Sequence, residues 1–258
     1  MASSYEEFYK EFLKKFKYLA TYKHRYEVFR DFVYVSAIAL SNAIVMNQER
    51  EEEYLQIIKA YKKEDQLGLA ELYGTLVLLL NFEPQDVLGQ LYMDLEISSK
   101  EKGQFFTPKS LSDFMSEIQF GEQLKNLEEP FITISDPACG AGGLILSFAK
   151  VMLANKLNPG EKIWVQCVDI DKTAALMCYI QLSLWNIPAE IIVGNSLSLE
   201  YREAWYTPSH VLGNWSYKMA RYWEKQNLKT STEENDRSEK IPTRTETSVK
   251  PKQFDFGF

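Results

Sequence analysis

A surplus of positive charge is missing from this chain. Its 258 residues carry 29 Lys and Arg against 36 Asp and Glu, a formal net charge of −7. A protein that grips nucleic acid unaided neutralises phosphates with a basic excess. The balance therefore argues against strong autonomous binding of that kind, although a local basic strip or a partner would still allow contact. Cysteine is scarce too, with three residues at Cys139, Cys167 and Cys178. The count is odd, and the spacing makes neither a CxxC pair nor a zinc-ligand set. No disulfide framework and no metal are expected, and a reduced, cytoplasmic setting is. No apolar run reaches membrane-spanning length. Val33 to Val45 is too short and reads as a buried core helix. The N-terminus shows no signal-peptide pattern, and no membrane association is expected. The 45% hydrophobic and 25% charged composition is that of a globular protein, and the length suits one large domain or two small ones.

Residues 1–100 read as a helical bundle domain. Tyr5, Phe8, Phe12, Phe16 and Leu19 recur at steps of three or four, and Ser4 before Glu6 and Glu7 makes a helix start. Further helices are expected over Tyr26 to Asn47, Glu49 to Lys62, Leu67 to Leu80 and Asp86 to Leu95. The period changes in residues 101–225. A helix is expected over Ser110 to Ile118. Strands at Phe131 to Ser135, Ile163 to Val168 and Glu190 to Val193 then alternate with helices at Gly143 to Lys156 and Lys172 to Trp185. A fourth strand is expected at His210 to Leu212. Short β-rich runs separated by helices indicate parallel βαβ units. Residues 226–258 form a polar tail that reads as disordered, closing on the aromatic string Phe254 to Phe258, either frayed or docked on a partner.

The chemistry concentrates at Asp136-Pro137-Ala138-Cys139-Gly140-Ala141-Gly142-Gly143. A strand that stops at Asp-Pro, turns through glycines and opens a helix can cradle a small molecule. Glycine lets backbone approach a ligand closely, and the helix N-terminus offers N–H groups. The spacing is not G-x-G-x-x-G, which weakens a nicotinamide reading. In a doubly wound sheet, ligands lie outside the carboxyl ends of the strands. That rule brings in Asp169, which ends the second strand and can take two ribose hydroxyls. Ile170 can pack on an adenine face, and Asp171 caps the next helix. Asn195 follows the third strand. Upstream stands a second unusual string, Gly103-Gln104-Phe105-Phe106-Thr107-Pro108.

Together these strings resemble the cofactor site of N6-adenine DNA methyltransferases, especially the methylation subunit of type I restriction-modification systems. The resemblance covers roughly residues 86 to 197 well. It implies an α/β fold: an N-terminal helical domain, then a Rossmann-like S-adenosylmethionine-dependent methyltransferase sheet, here incomplete, since no strands five to seven and no target-recognition domain are found. It implies S-adenosyl-L-methionine as cofactor, held by Gln104, Phe105, Thr107, Asp136, Ala138, Gly140, Gly142, Asp169, Ile170 and Asn195. The family usually carries Asp where Asn195 stands, and an amide oxygen still accepts the adenine amino group's hydrogen bond.

The same family activates the substrate amine with Asn/Asp-Pro-Pro-Tyr/Phe after its fourth strand. The string in this chain that best fits is Gly213-Asn214-Trp215-Ser216-Tyr217. It makes Asn214 and Tyr217 the catalytic candidates, with Trp215 and Ser216 where two prolines would fix the backbone. Implied partners are DNA, met with the help of a partner subunit, and a protein or a second copy covering the sheet's exposed edge. Three functions stay open: a DNA adenine-N6 methyltransferase; a catalytically inactive, methyltransferase-like binding or regulatory protein; and, ranked lowest, a methyltransferase of RNA, protein or a small molecule.

Overall fold

The structure is a computed structural model that describes residues 4–95 and 129–225, and the backbone of Phe254 and Asp255. Five helices fill the first segment: α1 (Tyr5–Tyr18), α2 (Arg25–Asn42), α3 (Gln48–Lys59), α4 (Lys63–Leu80) and α5 (Val87–Asp94). A capping box opens α1. The Glu7 N–H donates to the Ser4 hydroxyl at 3.3 Å, and the Ser4 N–H donates to the Glu7 carboxylate at 2.9 Å. Arg25 closes the same helix. Its guanidinium donates to the carbonyls of Phe16, Leu19, Ala20 and Lys23 at 3.0, 2.7, 2.6 and 3.1 Å. The aromatic stripe read from the sequence meets its partners here: Phe12 stands edge-on to Phe32 at 5.7 Å, and Phe29 edge-on to Tyr92 at 5.4 Å.

The second segment runs β1 (Ile132–Asp136), α6 (Gly143–Ala154), α7 (Pro159–Lys162), β2 (Ile163–Asp169), α8 (Lys172–Leu184), β3 (Ala189–Asn195), β4 (Glu200–Tyr206) and α9 (Pro208–Leu212), then a helical run over residues 215–225. Within the tail read as disordered, Phe254–Asp255 forms β5. The sheet order is β4-β3-β2-β1-β5, with β1, β2, β3 and β5 parallel and β4 antiparallel at one edge. The parallel connections from β1 to β2 and from β2 to β3 carry α6 and α8, and because such crossovers are right-handed almost without exception, both helices fall on one face. Ile134, Val165, Cys167 and Ile191 point into that face, in one cluster of buried side chains continuous with α1, α2, α4 and α5. Arg50 of α3 ties the bundle to β4: its guanidinium lies 3.5 Å from the Trp205 ring centre and donates to the Ala204 carbonyl at 2.8 Å.

Two sequence expectations are corrected. His210 to Leu212 is not a strand but the end of α9. Thr207 caps that helix, its side chain accepting from the His210 N–H, and Pro208 fills the first turn, where its missing donor costs nothing. The antiparallel strand β4 was not expected, because its sequence is polar and only Trp205 among its side chains is buried. The string Gly103 to Pro108 and the expected helix Ser110 to Ile118 lie outside the described residues.

Candidate functional site

The order β4-β3-β2-β1-β5 reverses direction at β1: the chain proceeds from β1 through β2 to β3 on one side, while β5 lies on the other. A crevice at the carboxyl end of β1 follows from that topology. The turn between β1 and α6 sits there. Asp136, buried, closes β1, and its Oδ1 accepts from the Ala138 N–H at 3.1 Å. The Cys139 N–H donates to the Val168 carbonyl at 3.0 Å, and the Gly142 N–H returns to the Cys139 carbonyl at 2.8 Å. Gly140 and Gly142 take φ of 53° and 88°. Gly142 also has no room for a side chain, since a Cβ there would stand 2.8 Å from Cys178 Sγ.

Asp169 ends β2 beside this turn. Its Oδ2 accepts from the Gly140 N–H and its Oδ1 from the Asp171 N–H, both at 2.8 Å. Burial pushes its carboxyl above the ordinary carboxylate range, and those N–H donors oppose the shift. Asp171 caps α8, accepting from Thr173 and Ala174 at 2.6 and 3.1 Å. Ile170 between them is 63% exposed, so an apolar surface is available to a ligand at the strand end. Ala138 is exposed as well. Asn195 closes β3, its Oδ1 accepting from the Leu197 and Ser198 N–H groups at 2.9 and 3.3 Å.

Two side chains that sequence reading missed hold the turn from below. Gln181 of α8 is fully buried. Its Nε2 donates to the Ala141 carbonyl at 2.8 Å and to Asp86 Oδ1 at 2.9 Å, while its Oε1 accepts from the N–H groups of Val87 and Leu88 at 2.8 and 3.1 Å. Asp86 caps α5 through the Gly89 N–H at 2.7 Å, and burial pushes its carboxyl upward. Its carboxylate also lies against Gly143, the first residue of α6. One amide therefore joins the start of α5 to the glycine turn. A polar residue inside an otherwise apolar helix was the available signal, but its partners are set by tertiary packing.

The structure thus brings Asp136, Ala138, Gly140, Gly142, Asp169, Ile170 and Asn195 to the carboxyl edge of the sheet. It does not bring Asn214 and Tyr217 there. Trp215 between them is buried against Phe131, its ring 5.1 Å away, in a separate cluster with Trp164. Phe131 precedes β1 and Trp164 is the second residue of β2, so this cluster marks the amino edge. β1 alone separates the two edges by about 13 Å at ~3.3 Å per residue. Asn214 and Tyr217 are exposed. This placement follows from α9: with a helix over Pro208–Leu212, Asn214 follows a helix and not a strand. The strand whose carboxyl end flanks the crevice beside Asp136 is β5. Gln104, Phe105 and Thr107 lie outside the described residues.

The three cysteines, unremarkable in spacing, converge. Cys139 from the turn, Cys167 from β2 and Cys178 from α8 are free and buried, their sulfurs all within 4.8 Å of one another. The neighbouring Cys139 and Cys178 thiols pull the Cys167 thiol below its ordinary range; Cys167 holds Cys139 above that range, and Cys139 and Cys167 together hold Cys178 above it.

Residues 84–252 match the family model described as N-6 DNA Methylase. The chain is 26% identical over 165 residues to the type I restriction enzyme MpnII methylase subunit of Mycoplasma pneumoniae, a match covering 62% of this chain and 26% of that protein. It therefore spans about a quarter of the length of this curated relative. Among solved structures, a putative class I S-adenosylmethionine-dependent methyltransferase from Listeria monocytogenes aligns with TM-score 0.41 and 16% identity, over 72% of this chain and 51% of that one. A type I restriction-modification methyltransferase subunit from Streptococcus thermophilus aligns with TM-score 0.33 and 15% identity, over 61% and 37%. Among the described residues, no helix is long and apolar enough to cross a membrane.

Proposed function

The chain belongs to the N-6 DNA methylase family, and from that membership we propose that it binds S-adenosylmethionine at the carboxyl edge of the sheet and serves adenine-N6 methylation of DNA within a restriction-modification assembly. The observation that carries this reading is the latch between the Gly140 N–H and Asp169, at the place where the sheet changes direction.

The donor set suits this cofactor. A sulfonium is a cation, and the carboxylates of Asp136 and Asp169 stand at the turn, with Asp86 against Gly143 at its end. Each carboxylate oxygen accepts more than one hydrogen bond, so Asp169 can keep its two backbone donors and still receive ribose hydroxyls. Ile170 would lie along the adenine face and Asn195 would accept from its amino group. Ala138 and the backbone of Gly140 and Gly142 would line the methionine end. Gln104, Phe105 and Thr107 would approach from the helical side, as in the family string. When bound, the cofactor supplies an electrophilic methyl group.

The substrate amine is a weak nucleophile because its lone pair is delocalised into the ring. Transfer therefore needs acceptors for its hydrogens and a platform for a base taken out of the stack. Asn214 and Tyr217, at the opposite edge, are poorly placed to provide them. That placement favours a second reading, in which the chain holds cofactor, or only the shape of its pocket, and regulates a DNA-modification complex. In either case DNA is met with a partner subunit, consistent with the acidic net charge of −7, and a reduced cytoplasm is the expected setting.

Two measurements test this. Calorimetry with S-adenosylmethionine should show binding that weakens roughly tenfold or more, about 1.4 kcal/mol, in Asp169→Ala. Labelled cofactor should transfer its methyl group to DNA once a partner subunit is added. Binding without transfer would select the regulatory reading, and no binding to a folded wild-type chain would reject both cofactor-dependent readings.

A further inference from the structure

A second candidate site lies behind the turn, and it does not depend on the cofactor reading. Cys139, Cys167 and Cys178 are buried and free of disulfides, with no sulfur more than 4.8 Å from the other two. An ion bonded to three sulfurs in a plane at ~2.3 Å holds those sulfurs about 4.0 Å apart. The trio is thus already gathered at close to the right size, from three different elements, before any ion is present. We propose that these three cysteines form a trigonal, all-sulfur site for a soft monovalent metal ion of the cuprous type.

The donor set selects the ion. Thiolates favour Cu(I), zinc and iron–sulfur clusters over hard cations. A structural zinc site closes with four protein ligands, and iron–sulfur clusters are typically held by four cysteines. The chain has three cysteines, and among the described residues no histidine or carboxylate belongs to this group. A closed-shell cuprous ion is satisfied by three sulfurs. On binding, three sulfur–metal bonds form, the thiol protons required for coordination leave to solvent, and the oxidation state of copper does not change.

The position gives occupancy a consequence. Cys139 adjoins Gly140, whose N–H is held by Asp169, and Cys178 packs against Gly142. One ion would fasten the turn, β2 and α8 at a single point.

The test uses the full chain, reduced and kept anaerobic, titrated with a cuprous–acetonitrile complex against a chromophoric cuprous chelator. The expected result is one copper withdrawn per chain, three sulfur neighbours and no nitrogen or oxygen neighbours by X-ray absorption, and a raised melting temperature. Cys167→Ala and Cys178→Ala, checked for folding by circular dichroism, should each lose this stoichiometric binding. Failure of the wild type to compete with the chelator overturns the proposal. So does a nitrogen- or oxygen-containing shell, or undiminished binding by the folded Cys167→Ala, Cys178→Ala double variant. Should the variants not fold, the wild-type coordination shell alone still decides.

Discussion

The side-chain amide of Gln181 donates to the carbonyl of Ala141 at 2.8 Å, so a helix of the sheet layer supports the glycine turn from within the protein. The same side chain also holds Asp86 and the first turn of α5. Replacing it with an apolar residue of similar size removes four hydrogen bonds and buries some of their partners unsatisfied. Gln181→Leu is expected to cost about 2–4 kcal/mol in urea unfolding and to weaken cofactor binding alongside. A variant as stable as the wild type would show that the amide is not what joins these elements.

Two glycines separate backbone need from mere presence. Gly142 combines φ of 88° with a Cβ position 2.8 Å from Cys178 Sγ. Gly142→Ala should destabilise by about 1–3 kcal/mol. Gly74, exposed on α4, has nothing within 4 Å of its Cβ position, and Gly74→Ala should stabilise by about 0.5–1 kcal/mol. Thermal melts of the pair should move in opposite directions.

Arg25 offers a third comparison. Its guanidinium takes four carbonyls at the end of α1. Arg25→Ala should cost about 1–3 kcal/mol. Arg25→Lys should recover only part of that, because an ammonium cannot span the same four acceptors. Full recovery by lysine in denaturant titrations would reduce the interaction to charge near a helix end.

The pH response of His210 has a defined sign. Trp164 Nε1–H donates to His210 Nδ1 at 2.9 Å, so Nδ1 is an acceptor and the ring proton sits on Nε2, facing Ser216 Oγ at 2.9 Å. Burial lowers the pKa of this histidine. With the folded value below the ordinary one, the unfolded chain binds the proton more readily. The contribution is complete above the ordinary histidine range and is lost as pH falls through the folded value. Tryptophan fluorescence should change over that window, and the change should shrink in Trp164→Phe. A flat profile in the folded wild type would contradict the assigned tautomer.

Much of this was legible in the sequence. The aromatic stripe of α1 and the strand-turn-helix around Asp136 to Gly143 have short-range periodicity, and they occur close to where that periodicity places them. What was missed depends on distant partners. β4 escaped because an exposed edge strand needs no apolar run, and only Trp205 anchors it. His210 to Leu212 has apolar, β-branched character, yet the Thr207-Pro208 start outweighs it and makes a helix. The position of Asn214 follows from the same helix, which stands where a strand is expected. Asp86 and Gln181 lie far apart in the chain and meet only through packing of α5 on α8, as the three cysteines meet only between turn, strand and helix.

β5 pairs with β1 although it comes from the far end of the described sequence. As the nascent polypeptide leaves the ribosome, the inner strands and their crossovers are available well before this neighbour. The outer edge of β1 must therefore wait, unpaired, until the last described residues emerge.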